Sequence, residues 1–126
     1  MSLSGLVIMV VEDEYLIALD TVDALTSAGA NVVGPFATVS AARSELTSGD
    51  RLDAAVLDVH LNGELVFPLA DDLLSRHIPY IFASGYDSDV LPTQHQTCHR
   101  LLKPYDPRLL IKLLQNEAAR MEQTAV

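Results

Sequence analysis

Residues 54 to 63 read Ala54-Ala55-Val56-Leu57-Asp58-Val59-His60-Leu61-Asn62-Gly63. The run opens with four apolar residues in a row and closes on a carboxylate at Asp58. A strand wetted on one side alternates apolar and polar residues, so an unbroken apolar run is what a strand covered on both faces requires. Ala54–Asp58 is therefore predicted as an inner strand of a parallel sheet with helices above and below.

Outward from this stretch the same signal recurs at Leu6–Val11, Asn31–Gly34, Tyr80–Ala83 and His99–Leu102. Helical patterns separate these runs. Tyr15, Ala18, Leu19, Val22 and Leu25 follow a 3.6-residue period, and Gly29 stands where that helix would stop. Ser40 to Leu46 forms a second helix, with Thr38 or Ser40 as its cap and Gly49 beyond its end. Val66 to Arg76 forms a third, Pro68 being tolerable in its first turn. Asp106-Pro107 opens the last helix, whose apolar face holds Leu110, Leu113 and Leu114. Residues 85 to 97 are the weak member: Pro92, many polar side chains and only Val90 and Leu91 as anchors predict a short or irregular helix. Alternation of this kind predicts an α/β, flavodoxin-like (βα)5 three-layer sandwich whose five-stranded parallel sheet has the order 2-1-3-4-5. In such sheets ligands bind at the carboxyl ends of the strands.

The 126 residues and 49% hydrophobic content suit one domain with one core. It is expected over residues 6–122, after an N-terminal extension or cloning remnant at 1–5 and before a tail at 123–126. The formal charge of −9 opposes nucleic-acid binding, which needs clustered Lys and Arg to neutralise phosphates. No apolar run approaches the ~20 residues of a membrane span, and no secretory signal is read. The single cysteine, Cys98, fits a reducing compartment, and a cytoplasmic location is expected.

The chemistry gathers where the fold predicts it. Glu12 and Asp13 follow the first strand and Asp58 closes the third. These strands are neighbours in the predicted order, so three carboxylates would share one crevice. Like charges so placed raise a pKa unless a cation intervenes, and hard oxygen ligands suit Mg²⁺. Each position also has a plainer reading: Glu12 and Asp13 as cap and dipole partner of the first helix, Asp58 as a turn residue. Ser84 ends the fourth strand and Lys103 ends the fifth, at the same sheet edge. An aspartyl carboxylate is a usable nucleophile, and a phosphoryl group on it offers three oxygens to a cation, an ammonium and a hydroxyl.

Four strings carry a resemblance: Val10-Val11-Glu12-Asp13-Glu14, Leu57-Asp58-Val59-His60-Leu61-Asn62-Gly63, Phe82-Ala83-Ser84-Gly85-Tyr86 and Leu102-Lys103-Pro104-Tyr105. In this order, each after its own predicted strand, they resemble the receiver domain of two-component response regulators along essentially the whole chain. The resemblance implies that Asp58 accepts a phosphoryl group from a sensor histidine kinase or a phosphotransfer protein, with Ser84 and Lys103 contacting it. It further implies Mg²⁺ held directly by Asp13 and Asp58, through water by Glu12, and by the backbone carbonyl of His60. Slow autodephosphorylation and an unknown downstream protein partner belong to the same expectation: a signalling switch, not an enzyme acting on other substrates.

Three positions depart from the common pattern. Asn62 stands where many receivers carry proline, Ser84 where most carry threonine, and Arg100 where many carry the aromatic residue that turns inward on activation. A guanidinium is costly to bury unpaired, so the switch is expected to run through Gly85, Tyr86 and the segment up to Thr97. Phe82 to Tyr86 also resembles, in part, a subgroup with a Phe-Ala-Thr-Gly-x-Tyr motif. The same residues read equally as strand core and turn. A phosphatase of the haloacid-dehalogenase kind would need an Asp-x-Asp pair after the first strand, which is absent. A flavin binder would not place Glu12-Asp13-Glu14 beside a phosphate. A module with a dead site would not keep every acceptor-site residue type.

Overall fold

In a computed structural model that describes residues 2–49, 51–85 and 91–124, the chain runs β1 (Val7–Val11), α1 (Tyr15–Ser27), β2 (Asn31–Phe36), α2 (Val39–Ser48), β3 (Ala54–Asp58), β4 (His60–Leu61), β5 (Glu64–Leu65), α3 (Phe67–Ser75), β6 (Tyr80–Ser84), a one-turn 3₁₀ helix (Thr93–His95), β7 (Arg100–Leu102) and α4 (Pro107–Thr124). The main sheet is parallel throughout and ordered β2-β1-β3-β6-β7. This is the expected order 2-1-3-4-5 once the short hairpin β4-β5 is left out of the count.

The unbroken apolar runs do what a doubly covered sheet demands. Met9, Val11, Ala55 and Leu57 point to one face and pack with Val39, Ala42 and Leu46 of α2 and Leu69, Ala70 and Leu73 of α3. Ile8, Val10, Ala54 and Val56 point to the other and pack with Leu25 of α1 and Leu110 and Leu114 of α4. Burial of one such leucine contributes about 2 kcal/mol. Leu3 joins the second cluster, 1% exposed, although it precedes the expected domain start at residue 6.

Local signals set the element ends. Thr38 caps α2 by accepting the Ala41 N–H at 3.1 Å. Asp106 accepts the Arg108 N–H at 2.9 Å as α4 begins at Pro107. α1 ends at Gly29, whose φ of 98° is open to glycine, and the Ala30 N–H reaches back to the Leu25 carbonyl.

One expectation needs correction. The buried residues of α1 are Ala18, Thr21 and Leu25, whereas Tyr15 is 73% and Leu19 38% exposed. Tyr15 lies on the first turn, beyond the end of β1, where there is no sheet to cover it. Between β6 and β7 the described residues hold only the 3₁₀ turn, consistent with the predicted weakness; Tyr86 and Val90 lie outside the described residues.

Candidate functional site

The crevice forms because β1 and β3 are hydrogen-bonded neighbours in register, Val11 opposite Leu57. Residues just past β1 therefore meet the last residue of β3. Carboxylate oxygens of Glu12, Asp13 and Asp58 all lie within 4.8 Å of one another. Asp58 and Glu12 are buried and Asp13 half-buried. The capping role for the acidic pair is not what the fold uses: the residue before α1 is Glu14, its side chain makes no capping bond, and the first turn holds no acid. Glu12 does accept the Glu14 N–H at 3.1 Å through Oε2, but its Oε1 faces Lys103.

Lys103 enters from the end of β7. Its Nζ lies 2.5 Å from Glu12 Oε1 and 3.2 Å from Asp58 Oδ2, and the side chain is 13% exposed. Its backbone N–H donates to the Ser84 carbonyl at 2.8 Å, so the last residue of β6 and the lysine are fixed side by side. Ser84 is fully buried at this edge. Asp58, Glu12, Asp13, Ser84 and Lys103 thus converge as the sequence predicted. His60 donates its backbone N–H to Asp58 Oδ1 at 3.3 Å while its side chain stays exposed.

The carboxylates are pushed apart in acidity. Burial first and the Glu12 carboxylate second raise Asp58 to about 7, against the pull of Lys103. Burial also works to raise Asp13, but the Asn62 N–H and hydrogen bonds with Asp58 and Glu12 outweigh it and hold that carboxyl below its ordinary value. Burial works to lower Lys103, and Glu12 and Asp58 outweigh it, so the ammonium is held above its ordinary value. Three crowded carboxylates facing a single ammonium are the donor set that a small hard cation satisfies, so the residues fit Mg²⁺.

A raised carboxyl makes the folded chain hold more protons than the unfolded chain between pH 3.8 and about 7. Its contribution to stability therefore falls as pH rises through that window. Asp58→Asn, with no charge to bury, should stabilise the protein by about 2 kcal/mol at pH 8 without divalent cation, and far less at pH 4. Urea unfolding at the two pH values reads this directly. A variant no more stable than wild type at pH 8 would contradict a destabilised carboxylate at 58.

Three features of the neighbourhood were not read from the sequence. Asn62 (φ 50°) and Gly63 (φ 83°) form the tight turn of the β4-β5 hairpin, and the Asn62 N–H donates to Asp13 Oδ2 at 2.9 Å. The Asn-Gly pair is itself a strong hairpin signal, because both turn positions need positive φ, and the pair was available in the sequence. Secondly, His95 is fully buried, with Nδ1 2.5 Å from the Tyr80 hydroxyl and Nε2 2.7 Å from Asp71 Oδ1, and its ring stacks on Phe67. This clamp pins the 3₁₀ turn to β6 and α3, and no spacing in the sequence announced it. Thirdly, Tyr105 bonds to Thr21 across to α1.

Of the expected switch residues, Gly85 lines a cleft together with Lys103, Ile17, Thr21 and Tyr105. A Cβ at Gly85 would meet nothing within 4 Å, so packing does not demand glycine there. Arg100 is half-buried on β7 opposite Phe82, and Tyr86 lies outside the described residues.

No family model matches the chain, and no curated protein matches it by sequence. Its structure matches response-regulator receiver domains, and the chain belongs to that family. Its particular likeness includes SdrG from Sphingomonas melonis Fr1, 36% identical over 93% of this chain and 98% of that one, with a TM-score of 0.79. The response regulator PhyR from Brucella abortus is 25% identical, covering 94% of this chain and 49% of that one at a TM-score of 0.72. A CheY-like receiver domain from Methanospirillum hungatei JF-1, 19% identical, shares the fold at a TM-score of 0.80 over 96% of this chain and 99% of that one.

Proposed function

We propose that this receiver domain takes a phosphoryl group onto Asp58 from the phosphohistidine of a sensor kinase or phosphotransfer protein. The observation that carries the reading is a buried Asp58 flanked by two carboxylates and one ammonium at the carboxyl edge of the sheet. One Asp58 oxygen forms the new P–O bond as the P–N bond to the donor imidazole breaks, and the imidazole leaves with a solvent proton. Glu12, Asp13, Asp58 and the His60 carbonyl would hold Mg²⁺, which neutralises charge on the phosphoryl oxygens when bound. Lys103 exchanges its contact with Asp58 for one with a phosphoryl oxygen, and the Ser84 hydroxyl donates to another. Water later hydrolyses the acyl phosphate, resetting the switch. The domain acts on itself alone, and a kinase donor of this class implies a cytoplasmic setting. Incubation with acetyl phosphate should add one phosphoryl group in the presence of Mg²⁺ and none in excess chelator. Equal labelling in both would sink the metal-assisted reading.

The donor's docking face is proposed on α1. Tyr15 and Leu16, 73% and 74% exposed, stand directly after the acidic pair and Glu14. Large apolar side chains beside a reactive site suit a protein partner. Leu16→Glu should slow labelling by a phosphorylated protein donor about tenfold while leaving labelling by acetyl phosphate unchanged. Equal slowing with both donors would place the defect in the site instead of the interface.

A further inference from the structure

Thr21 is a hydroxyl residue in the buried stripe of α1, 5% exposed, at a place where packing alone would favour an apolar side chain. Its partner explains it. The Tyr105 hydroxyl lies 2.8 Å from Thr21 Oγ1, and Tyr105 is only two residues beyond Lys103. Burial raises the Tyr105 hydroxyl above its ordinary value, so it stays protonated and able to donate.

Lys103 is bracketed. On its amino side the Lys103 N–H is fixed to the Ser84 carbonyl at 2.8 Å. On its carboxyl side the next side-chain anchor is Tyr105, which packs against the second core cluster. Beyond it, the Leu109 N–H bonds to the Asp106 carbonyl and α4 begins. A lysine side chain has four rotatable bonds, and its aim depends on how firmly its backbone is held at both sides. We propose that Tyr105, bonded to Thr21, is a positioning residue that holds Lys103 at the phosphoacceptor. This deepens the phosphoacceptor reading and rests on it. The bond also ties the lysine to α1, the helix that carries the exposed Tyr15 and Leu16.

The test compares wild type, Tyr105→Phe, Thr21→Val, Lys103→Ala and Lys103→Ala/Tyr105→Phe, with unfolding curves confirming that each folds. Labelling rates with acetyl phosphate are read at saturating Mg²⁺, together with Mg²⁺ affinity. Tyr105→Phe and Thr21→Val should each slow labelling about fivefold, the factor expected for one ordinary hydrogen bond, with Mg²⁺ affinity unchanged. In the Lys103→Ala background, Tyr105→Phe should bring no further slowing, because a residue that acts through the lysine has nothing left to position. Unslowed labelling in Tyr105→Phe, or the same fivefold loss in the Lys103→Ala background, overturns the proposal. If wild type itself takes no phosphoryl group, the phosphoacceptor reading fails, and the ¹H–¹⁵N signal of the Lys103 ammonium decides the positioning role separately. A shift of that signal in Tyr105→Phe supports it; an unmoved signal refutes it.

Discussion

Asp58→Asn is expected to lose phosphoryl incorporation by a factor on the order of 10³ or more at saturating Mg²⁺ and acetyl phosphate. An amide oxygen is a far weaker nucleophile than a carboxylate, and the amide product would not survive as a stable adduct. The neighbouring carboxylates do not substitute for it. Glu12 Oε1 is engaged by Lys103 at 2.5 Å and its Oε2 by the Glu14 N–H, while Asp13 Oδ2 is held by the Asn62 N–H. The exchange of carboxylate for carboxamide is nearly isosteric, so the loss reports chemistry and not collapse of the fold. The same variant is expected to be more stable than wild type at pH 8, which makes a folding artefact easy to detect. Incorporation at a rate comparable to wild type would mean that another residue is the acceptor.

Asp13→Ala is expected to weaken Mg²⁺ binding about 10- to 100-fold, the second large effect. Asp13 is the carboxylate of the cluster held below its ordinary value, so it is ionised across the physiological range and available to a cation without competition from a proton. Its removal takes away one of three clustered carboxylates and leaves the Asn62 N–H without its acceptor. The hairpin that places His60 beside Asp58 is thereby loosened as well. Titration of Mg²⁺ against both proteins by calorimetry checks this. Equal affinity would remove Asp13 from the ligand set.

The sheet was legible in the sequence because both of its faces are buried. Strands such as Ala54–Asp58 then carry no alternation, and little else in a soluble chain has that pattern. The site followed, because the strand order decides which residues share the carboxyl edge, and Asp58, Glu12, Asp13, Ser84 and Lys103 all end or follow strands. Legibility failed where a tertiary contact overrides the local pattern. Apolar periodicity assigned Tyr15 and Leu19 to the core of α1, yet Thr21 is buried, because the Tyr105 hydroxyl 84 residues away satisfies it. His95 looked like a polar residue in a weak segment, yet two bonds from Tyr80 and Asp71 allow it to be fully buried. Such partners lie far off in sequence, and periodicity carries no information about them. The Asn62-Gly63 hairpin is different: its signal was local, and noting only that Asn62 replaces a common proline left out the N–H that holds Asp13.

If Asp58 is the phosphoacceptor, the phosphoryl group resides on its side chain. The direct measurement is to incubate the wild-type protein with Mg²⁺ and acetyl phosphate, trap the acyl phosphate by borohydride reduction, and locate the modified residue by fragment mass spectrometry. Reduction of the acyl phosphate converts that aspartate to homoserine, which marks the position permanently. Homoserine is expected at position 58 and at no other carboxylate, dependent on Mg²⁺. Homoserine at position 13 or 53, conversion of Glu12, or an unmodified Asp58 under conditions that phosphorylate the protein would contradict it.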